Sequence, residues 1–137
     1  MEGVERAVSM EDLFCHSNVL SVHVPLNPTK VHLVAEPQLN LLPAGTYLIN
    51  TSRGDVVDEN ALLRALDKGT LAGAALDVLV NEWSSEIGES ALIQYARSHT
   101  NLLLTPHIGG ATFESMAATE VFMANKLGEF LQSTEWR

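Results

Sequence analysis

Three short stretches carry the residue types that anion binding and acid–base chemistry need, and each stands at the end of an apolar run. Thr51-Ser52-Arg53-Gly54 follows TYLIN, Asp77 lies within AGAALDV with Glu82 five residues further on, and His107-Ile108-Gly109-Gly110 follows NLLLTP. Arg53 offers a planar, permanently charged fork suited to a carboxylate or a phosphate. The position equally suits a solvated loop arginine paired with Asp55 or Asp58. His107, between a proline and a Gly-Gly pair, suits general acid–base work; a neutral imidazole satisfied in the core is the plainer alternative. Glu82 can hydrogen-bond an imidazole and favour its protonated form, or simply be solvated surface. Asp77 follows a run of apolar and small residues, so a buried carboxylate there needs a partner; capping a helix is the other reading. Gly109 and Gly110 let a ligand approach the backbone closely, or serve only the turn.

The remaining polar residues read more plainly. His23 stands at a strand end as a packed or hydrogen-bonded imidazole, and His16, His32 and His99 share no metal-ligand spacing, so no metal site is expected. Cys15 reads as a small core residue, and Trp83 and Trp136 as packing residues. Neither a GxSxG nucleophile turn nor a phosphate-binding P-loop is present.

The elements that must position these groups alternate in period. Val19–Val24, Thr46–Asn50, Ala72–Val78 and Asn101–Thr105 read as strands, mostly continuous apolar runs of the kind covered on both faces. Between them lie helix patterns. Ser9 caps a short one through Cys15, with Asp12 as the weak half of a capping box. A turn of helix fits near Ala35–Leu41, and Glu89–Ser98 is another helix. Asp58 caps a stronger one with Ala61, Leu62, Ala65 and Leu66 on one face, ended by Gly69. A long helix runs from Thr112 to about Leu131. Strands separated by helices imply an α/β fold with a parallel sheet of about four strands. In such sheets ligands bind beyond the carboxyl ends of the strands, where the polar residues of all four runs fall.

Composition narrows the classes. A chain of 137 residues, 46% hydrophobic and 18% charged, has enough apolar side chains for one core. Eight basic against 17 acidic residues give a net charge of −9, a poor footing for nucleic acid. A lone cysteine excludes an internal disulfide framework and fits a reducing cytoplasm. No apolar run reaches the length of a membrane span.

Together HVPLNP, LPAGTYLINTSRGDVVDENALLRALDKGTLAGAALDV and LLLTPHIGGAT resemble the NAD-dependent D-isomer-specific 2-hydroxyacid dehydrogenases, from about Val4 to Leu131. The resemblance implies that Arg53 grips a substrate carboxylate, that His107 is the catalytic acid–base, and that Glu82 keeps it protonated when a keto acid is reduced. Trp83 stands where the family's usual proline follows the glutamate. The implied cofactor is NAD, held by Val24, Thr51, Ser52, Arg53, Asp77, His107, Gly109 and Gly110.

Residues 1–137 then correspond to the second half of a Rossmann NAD-binding domain plus a C-terminal helix. The first βαβ unit with its GxGxxG, and the substrate domain, are not among them. NAD binding is expected to be weak or lost without that pyrophosphate cradle. The strand Val19–Val24 becomes an apolar edge that invites a second copy, so a homo-oligomer is expected. Two classes of function follow: an oxidoreductase acting on a 2-hydroxy or 2-keto acid, and a non-catalytic, self-associating module derived from one.

Overall fold

Four parallel strands alternate with helices, as the changes of period imply. The computed structural model describes residues 3–110 and 112–132; Trp136 lies outside the described residues. Two units are distinguished, Met1–Pro106 and His107–Arg137. The first contains α1 (Met10–Cys15), β1 (Val19–Val22), α2 (Glu36–Leu39), β2 (Thr46–Asn50), α3 (Glu59–Asp67), β3 (Leu71–Leu76), α4 (Ala91–Ser98) and β4 (Leu102–Leu104). The second contains α5 (Phe113–Gln132). The strands form one sheet in the order β1-β2-β3-β4, every pair parallel.

Local chemistry explains most of the boundaries. The Asp58 carboxylate accepts from the Ala61 amide at 3.0 Å and opens α3, which buries Ala61, Leu62, Ala65 and Leu66. Gly69 then takes a left-handed φ of 72° and lets the chain turn away. Ser9 Oγ accepts from the Asp12 amide at 3.1 Å and opens α1. The Asp12 carboxylate reaches past the cap to the Val8 amide, so the box is not closed in its usual form. Pro37 sits in the first turn of α2, where its missing N–H costs nothing. α4 starts at Ala91 rather than Glu89, because Ile87–Glu89 forms a separate 3₁₀ turn.

Three expectations need correction. The β1 strand ends at Val22, not Val24, and β3 at Leu76, not Val78. The register explains both: Val22, Asn50, Leu76 and Leu104 form one transverse row, beyond which the pairing stops. Cys15 is exposed, since the six-residue α1 turns only Phe14 into the core. The sheet within the first unit also has one covered face rather than two. On the covered face Leu20, Leu48, Ala74 and Leu102 form a buried row, with α3 packed on β3 and α4 on β4. On the other, Val19, Tyr47 and Leu103 are 59%, 54% and 62% exposed. The Tyr47 ring lies against Gly73, where an added Cβ would come within 3.2 Å of it.

The loop after β3 is tied to α3 by Glu59, whose Oε1 accepts from the Val80 amide at 2.8 Å. Burial raises its pKa above the ordinary 4.5; the Val80 bond opposes this, and the nearby Asp55 and Asp58 add to it.

Leu48→Ala, at a fully buried site, should lower unfolding free energy in urea by about 2–5 kcal/mol. Leu103→Ala on the open face should cost under about 1 kcal/mol, and an equal loss would mean that this face is covered in solution. Because the folded state binds the Glu59 proton more tightly than the unfolded chain, this group's stabilisation is full below 4.5 and is lost as pH rises through the raised folded value. Glu59→Gln should therefore gain stability relative to the parent over that rise, as read from urea midpoints on either side of it.

Candidate functional site at the carboxyl ends of the strands

Asn50, the last residue of β2 and 1% exposed, organises the loop that carries Arg53. Its Nδ2 donates to the Arg53 carbonyl at 2.9 Å, and its Oδ1 accepts from the Ser52 amide at 3.0 Å and the Ser52 hydroxyl at 2.8 Å. The loop is a side-chain-stapled turn with every polar atom of the amide used. Arg53 itself is exposed, with Nη1 donating to the Ser52 carbonyl at 2.6 Å. Among the described residues it makes no ion pair with a carboxylate, and Asp58 is engaged in capping α3. Arg53 and its neighbours Thr51 and Ser52 line a cavity of about 490 Å³ together with His23, Val24, Pro25 and Leu26. His23 Nε2 lies 2.8 Å from Ser21 Oγ, so this imidazole is partner-bonded and exposed at its strand end.

Gly54 fixes how close this loop comes to the next. A Cβ there would lie 2.2 Å from the Leu79 carbonyl carbon and 2.4 Å from the Val80 nitrogen. Only glycine permits that approach, which presses the Arg53 loop on the segment leading to Glu82. Asn50 and Gly54 are thus positioning residues, a role that the sequence reading did not give them. The available signal was an Asn closing a strand and a Gly directly after the arginine.

Asp77 stands one residue beyond β3 and is 6% exposed. Its Oδ1 accepts from Thr105 Oγ1 at 2.5 Å, while its amide donates to the Asn50 carbonyl at 3.0 Å. Of the two readings of Asp77, the structure selects the buried carboxylate with a partner. Glu82 is half-buried, and its Oε2 accepts from the Leu79 amide at 3.3 Å. Asn81 before it has φ of 53°, and the Ser84 amide closes a turn on the Asn81 carbonyl at 2.8 Å. On that turn Trp83 is 86% exposed, which overturns its reading as a packing residue.

The second unit carries His107, Gly109 and Gly110. His107 is half-buried with φ of 53°, a left-handed conformation that few non-glycine residues adopt. Both glycines are exposed, and the Gly110 carbonyl accepts from Ser115 Oγ at 2.8 Å. Thr112 Oγ1 accepts from the Ser115 amide at 3.2 Å at the start of α5. Thus Val24, Thr51, Ser52 and Arg53 share one cavity, Asp77 and Glu82 follow β3, and His107 with the glycines belongs to the other unit. No helix among the described residues is long and apolar enough to cross a membrane, and no group of three His, Cys, Asp or Glu there can hold a metal.

Chemically, the cavity offers the Thr51 hydroxyl and the Arg53 guanidinium to an anionic ligand, the Ser52 proton being held by Asn50, and the next strand end holds a buried carboxylate acceptor. That donor set fits a cofactor with both phosphate and amide groups.

The sequence pattern of the D-isomer specific 2-hydroxyacid dehydrogenase NAD binding domain matches residues 1–109. The chain is 39% identical over 125 residues to the glyoxylate reductase of Thermococcus litoralis, covering 90% of this chain and 35% of that protein. It is 42% identical over 120 residues to the D-3-phosphoglycerate dehydrogenase of Escherichia coli, covering 86% of this chain and 28% of the other. Among solved structures, the NAD-complexed D-isomer specific 2-hydroxyacid dehydrogenase of Lactobacillus delbrueckii ssp. bulgaricus superposes with a TM-score of 0.77. It shares 28% identity, over 88% of this chain and 39% of that one. The chain spans about a third of the length of the curated relatives it matches. A parallel α/β sheet with this loop chemistry and a family pattern over most of its length place the chain in the D-isomer specific 2-hydroxyacid dehydrogenase family, within its NAD binding domain.

Proposed function

We propose that residues 1–137 act as the second half of a Rossmann NAD-binding domain with its C-terminal helix, in an oxidoreductase that moves hydride between NAD(H) and a 2-hydroxy or 2-keto acid. One observation carries the reading. Arg53 stands exposed and unpaired with any carboxylate among the described residues, at a cavity shared with Thr51 and Ser52 beyond the strand ends. A permanent cation held there by a buried asparagine suits a small carboxylate.

In this reading Arg53 orients the acid through its fork, which removes rotational freedom before reaction. Val24, Thr51 and Ser52 hold the cofactor along the cavity wall, and Asp77 accepts from the nicotinamide amide. His107 gives the proton to the carbonyl oxygen during reduction and takes it back during oxidation. Glu82 is the carboxylate assigned to favour the protonated imidazole. Gly109 and Gly110 admit the cofactor close to the backbone. NAD, when bound, supplies the hydride acceptor or donor at nicotinamide C4. A reducing cytoplasm suits the single, exposed Cys15.

A second reading, the non-catalytic self-associating module, has its own support. β1 is an outer strand of the sheet, paired only with β2 among the described residues, and Val19 on it is 59% exposed. We assign this edge, Val19–Val22, to contact with a second copy.

Titration with NADH, followed by fluorescence, should give saturable binding that weakens at least about tenfold in Asp77→Ala. An unaltered chain that never saturates would remove the retained cofactor site. Where NADH binds, a panel of 2-keto acids decides between the two readings: NADH consumption that falls by about 100-fold or more in His107→Gln selects the oxidoreductase. Binding without turnover selects the module. Sedimentation at micromolar concentration should show a dimer or larger species; a stable monomer rules out the edge contact.

A further inference from the structure

We infer that Thr105 is a positioning residue for the nicotinamide end of the cofactor, acting through the Asp77 carboxylate; this rests on the assignment of Asp77 made above. The two residues are 28 apart in sequence and stand just past the ends of β3 and β4. Thr105 Oγ1 donates to Asp77 Oδ1 at 2.5 Å, and Asp77 is 6% exposed.

Both backbones are pinned. The Thr105 amide donates to the Leu76 carbonyl at 3.0 Å, and the Asp77 amide to the Asn50 carbonyl at 3.0 Å. Thr105 also precedes Pro106, which confines it to extended backbone, and its branched Cβ leaves few rotamers. The hydroxyl is therefore a donor with a fixed direction. A carboxylate's plane can turn about its own bonds, and a bond to a fixed donor restrains that plane. An amide that donates to the same carboxylate is sensitive to that plane, whereas the phosphates and adenosine are not.

The test titrates NADH and ADP-ribose, which lacks nicotinamide, into the unaltered chain and into variants. Thr105→Val should weaken NADH about tenfold, the loss of one charge-assisted hydrogen bond, and leave ADP-ribose within about twofold. Thr105→Ser should restore NADH affinity. In an Asp77→Ala background, Thr105→Val should have no further effect on NADH. If Thr105→Val does not fold, Thr105→Ala makes the same comparison. Equal weakening of both nucleotides, or a full additional loss in the Asp77→Ala background, overturns the inference while leaving the cofactor site standing. An unaltered chain that binds ADP-ribose but not NADH, or neither, overturns the assignment of Asp77 and this inference with it.

Discussion

The carboxyl edge of the sheet depends on one buried amide. Asn50 closes β2 at a position where an unsatisfied side chain would cost a few kcal/mol, about 1–3 in proteins. Its donor and its acceptor are both spent on the loop ahead of it, which fixes the Arg53 carbonyl and the Ser52 amide and hydroxyl. Its backbone carbonyl, facing the other way, accepts from the Asp77 amide. A single residue thus sets the geometry of the cation-bearing loop on one side and of the buried carboxylate on the other. Gly54 completes the arrangement, because the loop that Asn50 shapes can rest on Leu79 and Val80 only where no Cβ intervenes.

Much of this was legible in the amino-acid sequence, and the reasons are local. Asp58, Gly69 and the Ala61/Leu62/Ala65/Leu66 stripe declare α3 because caps and period act over one or two turns. The strand cores were equally clear. Their ends were not, since pairing stops where register with a neighbour stops, and register is a property of several strands together. Asp77 shows the same limit at the site. Its burial in a run of small residues was foreseeable, but its partner, Thr105, lies 28 residues away and no spacing rule points to it. Cys15 and Trp83 were misread because residue type alone does not say which way a six-residue helix or a tight turn faces.

The half-covered sheet follows from the same physics. Continuous apolar runs suggest strands buried on both sides, yet in the first unit the rows alternate between buried and exposed. Parallel strands are stable when both faces are covered. Val19, Tyr47 and Leu103 therefore form an apolar surface that this unit does not itself bury, reaching onto an outer strand that pairs only with β2 among the described residues.

Net charge sharpens the role of the local donors. A chain at −9 repels anions at long range, so electrostatic steering does not bring a carboxylate or a dinucleotide to it. Screening confines that repulsion to about 8–10 Å at ordinary ionic strength. Inside that distance the balance belongs to individual groups: a guanidinium unpaired with carboxylates among the described residues, the Thr51 hydroxyl and the amide-stapled loop that aims them. Affinity in such a site comes from short, charge-assisted bonds whose strength depends on direction. The residues that fix direction, Asn50 and Gly54 around Arg53 and Thr105 beside Asp77, then matter as much as those that would touch the ligand.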